Sequence, residues 1–184
     1  MPALTASQTV GPFFKFALDH PAWADVTAGG AEGERITIAG RVLDGDGVGV
    51  PDAMLELWQA DAAGRYERGS GFRGFGRAST DEDGRFAFYT VRPGAVTEPG
   101  GAVQAPHVAL TIFARGLLHH LITRVYFADR AEDNERDPVL RSIADPAARE
   151  TLIAVRENGA AGTPALFRFD VILQGERETA FFDV

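Results

Sequence analysis

Two histidines placed two residues apart on a β-strand turn both imidazoles to one face, because strand side chains alternate. The segment Ala105-Pro106-His107-Val108-Ala109-Leu110-Thr111-Ile112-Phe113 reads as such a strand, with His107 in the first place and Ala109 in the second. It offers one imidazole where a metal site wants two. Few other side chains can make up the number. The sequence has three tyrosines, four histidines and no cysteine, so thiolate ligation and disulfides are excluded. His119 and His120 are adjacent and would face opposite ways if extended, and they lie beyond a glycine loop. His20 is near the N-terminus, Tyr89 is in mid-strand, and Tyr126 falls in the predicted strand Leu121 to Phe127. None of these reproduces a ligand spacing, and no motif enlists the Asp and Glu residues for a metal.

The elements that must position these residues are strands. Twenty-one glycines and ten prolines punctuate short alternating runs. Ile36, Ile38 and Val42 share one face of the first strand. Met54-Leu55-Glu56-Leu57-Trp58-Gln59 is apolar on both faces except at Glu56 and Gln59, as an inner strand would be, with Trp58 in the core. Asp81-Glu82-Asp83-Gly84 predicts a hairpin, since Asp-Gly supplies the positive φ of a tight turn. It leads into Arg85 to Val91, which Arg92-Pro93-Gly94 closes. Further strands are predicted over Val108 to Phe113, Leu121 to Phe127 and Phe167 to Leu173. Asp137-Pro138 and Asp145-Pro146 each pair an N-cap with proline at the first helical position. The second should open a helix reaching about Arg156, with Leu152, Ile153 and Val155 inward. Residues 29–33 and 157–164 read as loops, and the charged run Asp129 to Asp137 as a solvated loop. The fold class this predicts is all-β, a β-sandwich with a few short helices.

A chain of 184 residues fits one domain. A net charge of −8 gives no electrostatic case for nucleic acid or an anionic membrane surface. The N-terminus lacks the basic start and apolar stretch of a signal peptide, and no apolar run has membrane-spanning length, so the expected location is cytoplasmic.

Several segments, in order along nearly the whole chain, resemble the intradiol ring-cleaving dioxygenases. They are Ser7-Gln8-Thr9-Val10-Gly11-Pro12-Phe13, Leu55-Glu56-Leu57-Trp58-Gln59 continuing to Gly64-Arg65-Tyr66, and Phe75-Gly76-Arg77 running into Thr80 to Gly84. They continue with Arg92-Pro93-Gly94, Ala105-Pro106-His107, Ile112-Phe113-Ala114-Arg115-Gly116, and Phe169 to Gly175 with Glu178 to Phe182. The resemblance implies a non-haem Fe(III) held by two tyrosines and two histidines, hard phenolates suiting a ferric ion. It implies that a catechol, bound through both oxygens as one tyrosinate leaves, is opened by O2 between its hydroxylated carbons. Tyr66 and His107 match two ligand positions, whereas Val96 and Ala109 stand where the other tyrosine and histidine would be.

By the same resemblance, this is a subunit without its own metal that completes the cleft of an iron-bearing partner chain of the family. Residues 1–30 form an arm contacting that partner, and the pair repeats in a larger symmetric assembly. The site residues so implied are Thr9, Gly11, Pro12 and Arg115. Arg115 would favour a carboxylated catecholate, against the plainer reading of a surface arginine at a strand end. Gly11 and Pro12 would form a backbone wall near the aromatic ring, against a simple turn. Thr9 would offer a hydroxyl to the cleft, against local backbone capping. Tyr66 and His107 read as remnants hydrogen-bonded in a filled pocket, and His119 and His120 as ordinary loop or interface residues. A stand-alone dioxygenase with altered ligands and a non-enzymatic prealbumin-like binding module are the alternatives.

Overall fold

The computed structural model describes residues 5–11, 13–66, 72–157 and 162–183. A helix α1 (Phe13–Leu18) and a 3-10 turn (Pro21–Ala24) precede the strands. These are β1 (Arg35–Leu43), β2 (Met54–Gln59), β3 (Phe75–Ser79), β4 (Arg85–Val91), β5 (Val96–Thr97), β6 (Val103–Gln104), β7 (His107–Phe113) and β8 (Leu121–Phe127). A helical stretch follows, a 3-10 turn (Ala128–Arg130), α2 (Ala131–Arg136), α3 (Pro138–Ser142) and α4 (Pro146–Glu150). The last strands are β9 (Ile153–Glu157), β10 (Ala165–Arg168) and β11 (Val171–Ile172). Among the described residues no helix is long and apolar enough to cross a membrane.

The strands form two facing layers, β4-β1-β10 and β3-β2-β7-β8. Strand β9 belongs to both, pairing in parallel with β8 through Ile153 and Ala154 and antiparallel with β10 through Val155 to Glu157. Between the layers lie Ile36, Ile38, Phe88 and Phe167 from one side and Leu55, Leu57, Leu110, Ile112, Val125 and Phe127 from the other. The period-2 patterns of β1 and β7 predict this, since each buries alternate residues against the opposite layer. The all-β sandwich with few short helices is the architecture observed.

Several local expectations are corrected. Trp58 is not core; it is 42% exposed on the outer face of β2. Gln59 is the buried member of that pair, donating to Ala60 and Val91 carbonyls and accepting from the Thr90 hydroxyl, which ties β2 to β4. The Asp81–Gly84 turn forms, with the Gly84 amide on the Asp81 carbonyl at 2.9 Å. It is not a hairpin, however: β3 pairs with β2 and β4 with β1, so the turn carries the chain between layers. The helix after Asp145 stops at Glu150 and residues 153–157 form β9, with Val155 59% exposed. Two strands lacked a partner there, and closing that gap outweighs helix propensity for β-branched Ile153 and Val155.

The charged run is helical rather than loop. Glu132 and Asp133 fall in the first turn of α2, and Arg136 pairs back to Glu132 four residues earlier. Both proline-preceding aspartates do cap helices, Asp137 taking the Val139 and Leu140 amides and Asp145 that of Ala147. The Phe167–Leu173 strand is broken at Phe169-Asp170, where the chain bulges against Gly40. A β-carbon on Gly40 would lie 1.7 Å from the Phe169 carbonyl oxygen, so only glycine admits that approach. Asp170 then accepts the Arg41 amide at 2.9 Å, bridging the break. Of the first thirty residues, Val26 is sewn into the main core and its amide bonds the Tyr89 carbonyl at 3.0 Å.

Candidate functional site

The four positions matched to metal ligands converge on the outer face of the β2-β7-β8 layer. Gly64 is at φ +78°, and a β-carbon there would meet the Ala95 carbonyl oxygen at 1.9 Å. This close contact, with the Gly94 amide on the Asp61 carbonyl at 2.9 Å, brings the loop ending in Tyr66 against the turn leading to Val96. The Tyr66 ring stacks on Trp58 at 5.7 Å between centroids. Trp58 is directly cross-strand from Ala109, and Ala109 from Arg124 on β8. Val96 pairs across from Gln104, whose Oε1 accepts Arg124 Nη1 at 2.9 Å.

His107 is buried, with Nδ1 2.7 Å from the Ala105 carbonyl oxygen and Tyr126 as its cross-strand neighbour. The Tyr126 hydroxyl lies 3.4 Å from Arg124 Nη1 and donates to Asp137 at 3.1 Å. Burial, and then the Arg124 charge, hold the His107 imidazole below its ordinary range, while the Ala105 carbonyl and Asp137 oppose them. Burial pushes the Tyr66 phenol up, and Arg124 partly offsets it.

The donor set does not fit a ferric ion. Val96 and Ala109 carry no donor atoms, and Arg124, the residue directly across from Ala109, carries its guanidinium to Gln104 and the Tyr126 hydroxyl. Among the described residues no three His, Cys, Asp or Glu side chains cluster as a metal site would need. Sequence reading did not single out Arg124. The available signal was a lone charged residue, alternating with Tyr126, in the strand Leu121–Phe127.

The lowered imidazole gives a pH prediction. His107 takes up a proton less readily folded than unfolded, so its contribution is present above the unfolded pKa and is lost as pH falls. Stability should therefore decline below about pH 6.5. In His107→Gln that part of the decline should be absent, as measured by urea midpoints across pH 5 to 7. An unaltered profile would acquit His107.

The other predicted residues assemble elsewhere. The Thr9 hydroxyl accepts the Gly116 amide at 2.8 Å and lies 3.5 Å from the Ala114 carbonyl oxygen, on the turn that presents Arg115. Phe14 packs on Phe113 beside it, with ring centroids 5.4 Å apart. The Thr9 hydroxyl is thus engaged on its own chain, by a long-range tie to the turn after β7 rather than by local capping. Arg115 is 61% exposed and reaches Asp52 at 3.2 Å. Gly11 has no atom within 4 Å of a would-be β-carbon, so this chain by itself places no steric demand for glycine there. Pro12 lies outside the described residues. Thr9 and Arg115 lie past the opposite end of β7 from His107, which is roughly 20 Å from end to end.

The tyrosine loop, the Pro-Gly turn and the histidine strand thus meet on one outer face of a β-sandwich. The sequence model of the family described as Dioxygenase matches residues 11–175, and the chain belongs to this family of intradiol dioxygenases. It is 42% identical to the protocatechuate 3,4-dioxygenase alpha chain of Burkholderia cepacia, over 98% of this chain and 97% of that one. The protocatechuate 3,4-dioxygenase beta chain of the same organism is 34% identical, over 88% of this chain and 74% of its own. Catechol 1,2-dioxygenase from Pseudomonas arvilla C-1 superposes with a TM-score of 0.63 at 27% identity, covering 82% of this chain and 55% of that structure.

Proposed function

We propose that this chain is the alpha-type subunit of a protocatechuate 3,4-dioxygenase, working beside a beta-type chain that carries the Fe(III). The assembled enzyme opens 3,4-dihydroxybenzoate with O2 to 3-carboxy-cis,cis-muconate, in the cytoplasm. One observation carries the division of labour. The patch made by Thr9, Gly11 and Arg115 sits at the far end of β7 from the remnant ligand pocket, which supports the reading that it serves a neighbour's site rather than one in its own chain.

Within the partner's cleft, the Arg115 guanidinium supplies a fixed positive charge for the substrate's carboxylate or catecholate oxygens. Gly11 and Pro12 supply a flat wall for the ring, and together they exclude water from it. Thr9 acts by holding the N-terminal segment on the Ala114–Gly116 turn. Phe13 and Phe16 are 81% and 82% exposed on α1 beside this patch, an apolar surface suited to burial in a partner contact.

The test is Arg115→Ala in the chain co-expressed with its beta-type partner. Losing one charge-assisted hydrogen bond should lower kcat/KM for 3,4-dihydroxybenzoate roughly 10- to 100-fold, with iron per assembly preserved. The Asp52 pair it breaks is exposed and contributes little stability. Unchanged kinetics would remove Arg115 from the site. A tightly held ferric ion in this chain purified alone would sink the subunit reading.

A further inference from the structure

We propose that Arg124 is the resident cation of the remnant pocket, and that its guanidinium bars ferric iron from this chain independently of the two missing ligands. The inference rests on the reading above that iron is left to the partner. It goes beyond that reading in naming an active barrier rather than a mere deficit of donors.

The geometry points there from all four ligand positions. Ala109 faces Arg124 directly across the β7–β8 pair, where β-carbons are about 5 Å apart. Val96 faces Gln104, which holds Arg124 Nη1 at 2.9 Å. His107 faces Tyr126, whose hydroxyl is 3.4 Å from the same nitrogen. Tyr66 stacks on Trp58, the other cross-strand neighbour of Ala109. A chain of polar groups then anchors the arginine at both ends. Gln104 donates to Glu98 on one side, and Tyr126 donates to Asp137 on the other.

A guanidinium suits this task where other cations would not. It cannot lose its proton in a protein, so an arriving metal cannot neutralise it, and it has no lone pair to offer as a ligand. A ferric ion keeps net positive charge even with two phenolates bound, so it would meet a like charge at close range on a half-buried face. The plainer reading is that Arg124 only ties Gln104 to Tyr126. The two readings part when the missing donors are put back.

The test uses the full chain in four forms, each loaded with ferric iron and desalted: unsubstituted, Val96→Tyr/Ala109→His, and that pair with either Arg124→Gln or Arg124→Met. Metal analysis and the visible tyrosinate-to-iron absorption are the readouts. With arginine in place, the restored pair should stay nearly iron-free. Both triple variants should take up about one ferric ion per chain, with affinity on the order of 100-fold above the pair. If the pair alone binds iron as well as the triples do, the barrier does not exist. If Arg124→Gln admits iron and the longer, neutral Arg124→Met does not, bulk rather than charge is responsible and the proposal falls. Folded triples without iron also overturn it. If the triples do not fold alone, the set is purified with the iron-bearing partner, and a second iron per pair, present only when Arg124 is replaced, is the same readout. Iron in the unsubstituted chain would instead overturn the reading on which this inference rests.

Discussion

Asp137→Ala should cost about 3–5 kcal/mol of folding stability, the largest single effect expected from a substitution in this chain. The carboxylate is fully buried and accepts four hydrogen bonds. The Val139 and Leu140 amides meet Oδ1 at 2.9 and 2.8 Å, the Ala105 amide meets Oδ2 at 2.8 Å, and the Tyr126 hydroxyl completes the set at 3.1 Å. Alanine would leave all four donors unsatisfied, and in a packed site each costs about 1–3 kcal/mol before relaxation. The damage should spread in a defined direction. Ala105 is held at its amide by Asp137 and at its carbonyl by His107, so the start of β7 loosens together with α3. Asp137→Asn keeps one acceptor but turns an N–H₂ toward an existing donor, and should fall between. Chemical denaturation gives the stability, and amide exchange at Val139 and Leu140 reports the local loss. A change under about 1 kcal/mol would show that water replaces the carboxylate without penalty.

Arg92→Ala should cost about 2–4 kcal/mol, which lowers Tm by roughly 5–15 °C for a chain of this size. Arg92 is 7% exposed and grips Asp129 with both terminal nitrogens, at 3.0 and 2.9 Å, while Nε meets Glu34 at 2.8 Å. Its guanidinium carbon also lies 5.1 Å from the Phe127 ring centre and 4.8 Å from that of Phe167, where these rings of β8 and β10 pack edge to face. Burial works against its charge, and the two carboxylates more than restore it. The cost stays below that of a fully enclosed pair because Glu34 and Asp129 are partly exposed and can rehydrate. Arg92→Lys keeps the charge but loses the fork and the flat stacking surface, so it should recover only part of the loss. Equal melting temperatures for arginine and alanine would remove this triad from the account of stability.

The strands were legible because their signal is local. Alternation in Ile36 to Val42 and His107 to Phe113 follows from the period-2 geometry of an extended chain, whatever the partner strand is. The two Asp-Pro caps were legible for the same reason, since a cap and a fixed φ act within one turn. Trp58 misled because it lies on the outer face of β2 beside Glu56, where only Tyr66 and Phe75 partly cover it. Residues 151–157 misled because their state was set by vacant edges on β8 and β10, brought together from distant parts of the sequence. The acidic run was read by charge alone, whereas Asp129 and Asp137 each meet a partner more than thirty residues away.

The sequence by itself determined which donor atoms exist: one tyrosine and one histidine at ligand positions, valine and alanine at the others, and no cysteine anywhere. It also determined the all-β architecture, since both facts depend only on residue identity and short-range spacing. Only the tertiary structure decided where those residues meet. It placed Arg124 opposite Ala109, because strand register is fixed by core packing across three strands. It set Thr9 against the Ala114–Gly116 turn at the far end of β7, because a contact across more than one hundred residues depends on how the sandwich closes and leaves no mark in local sequence.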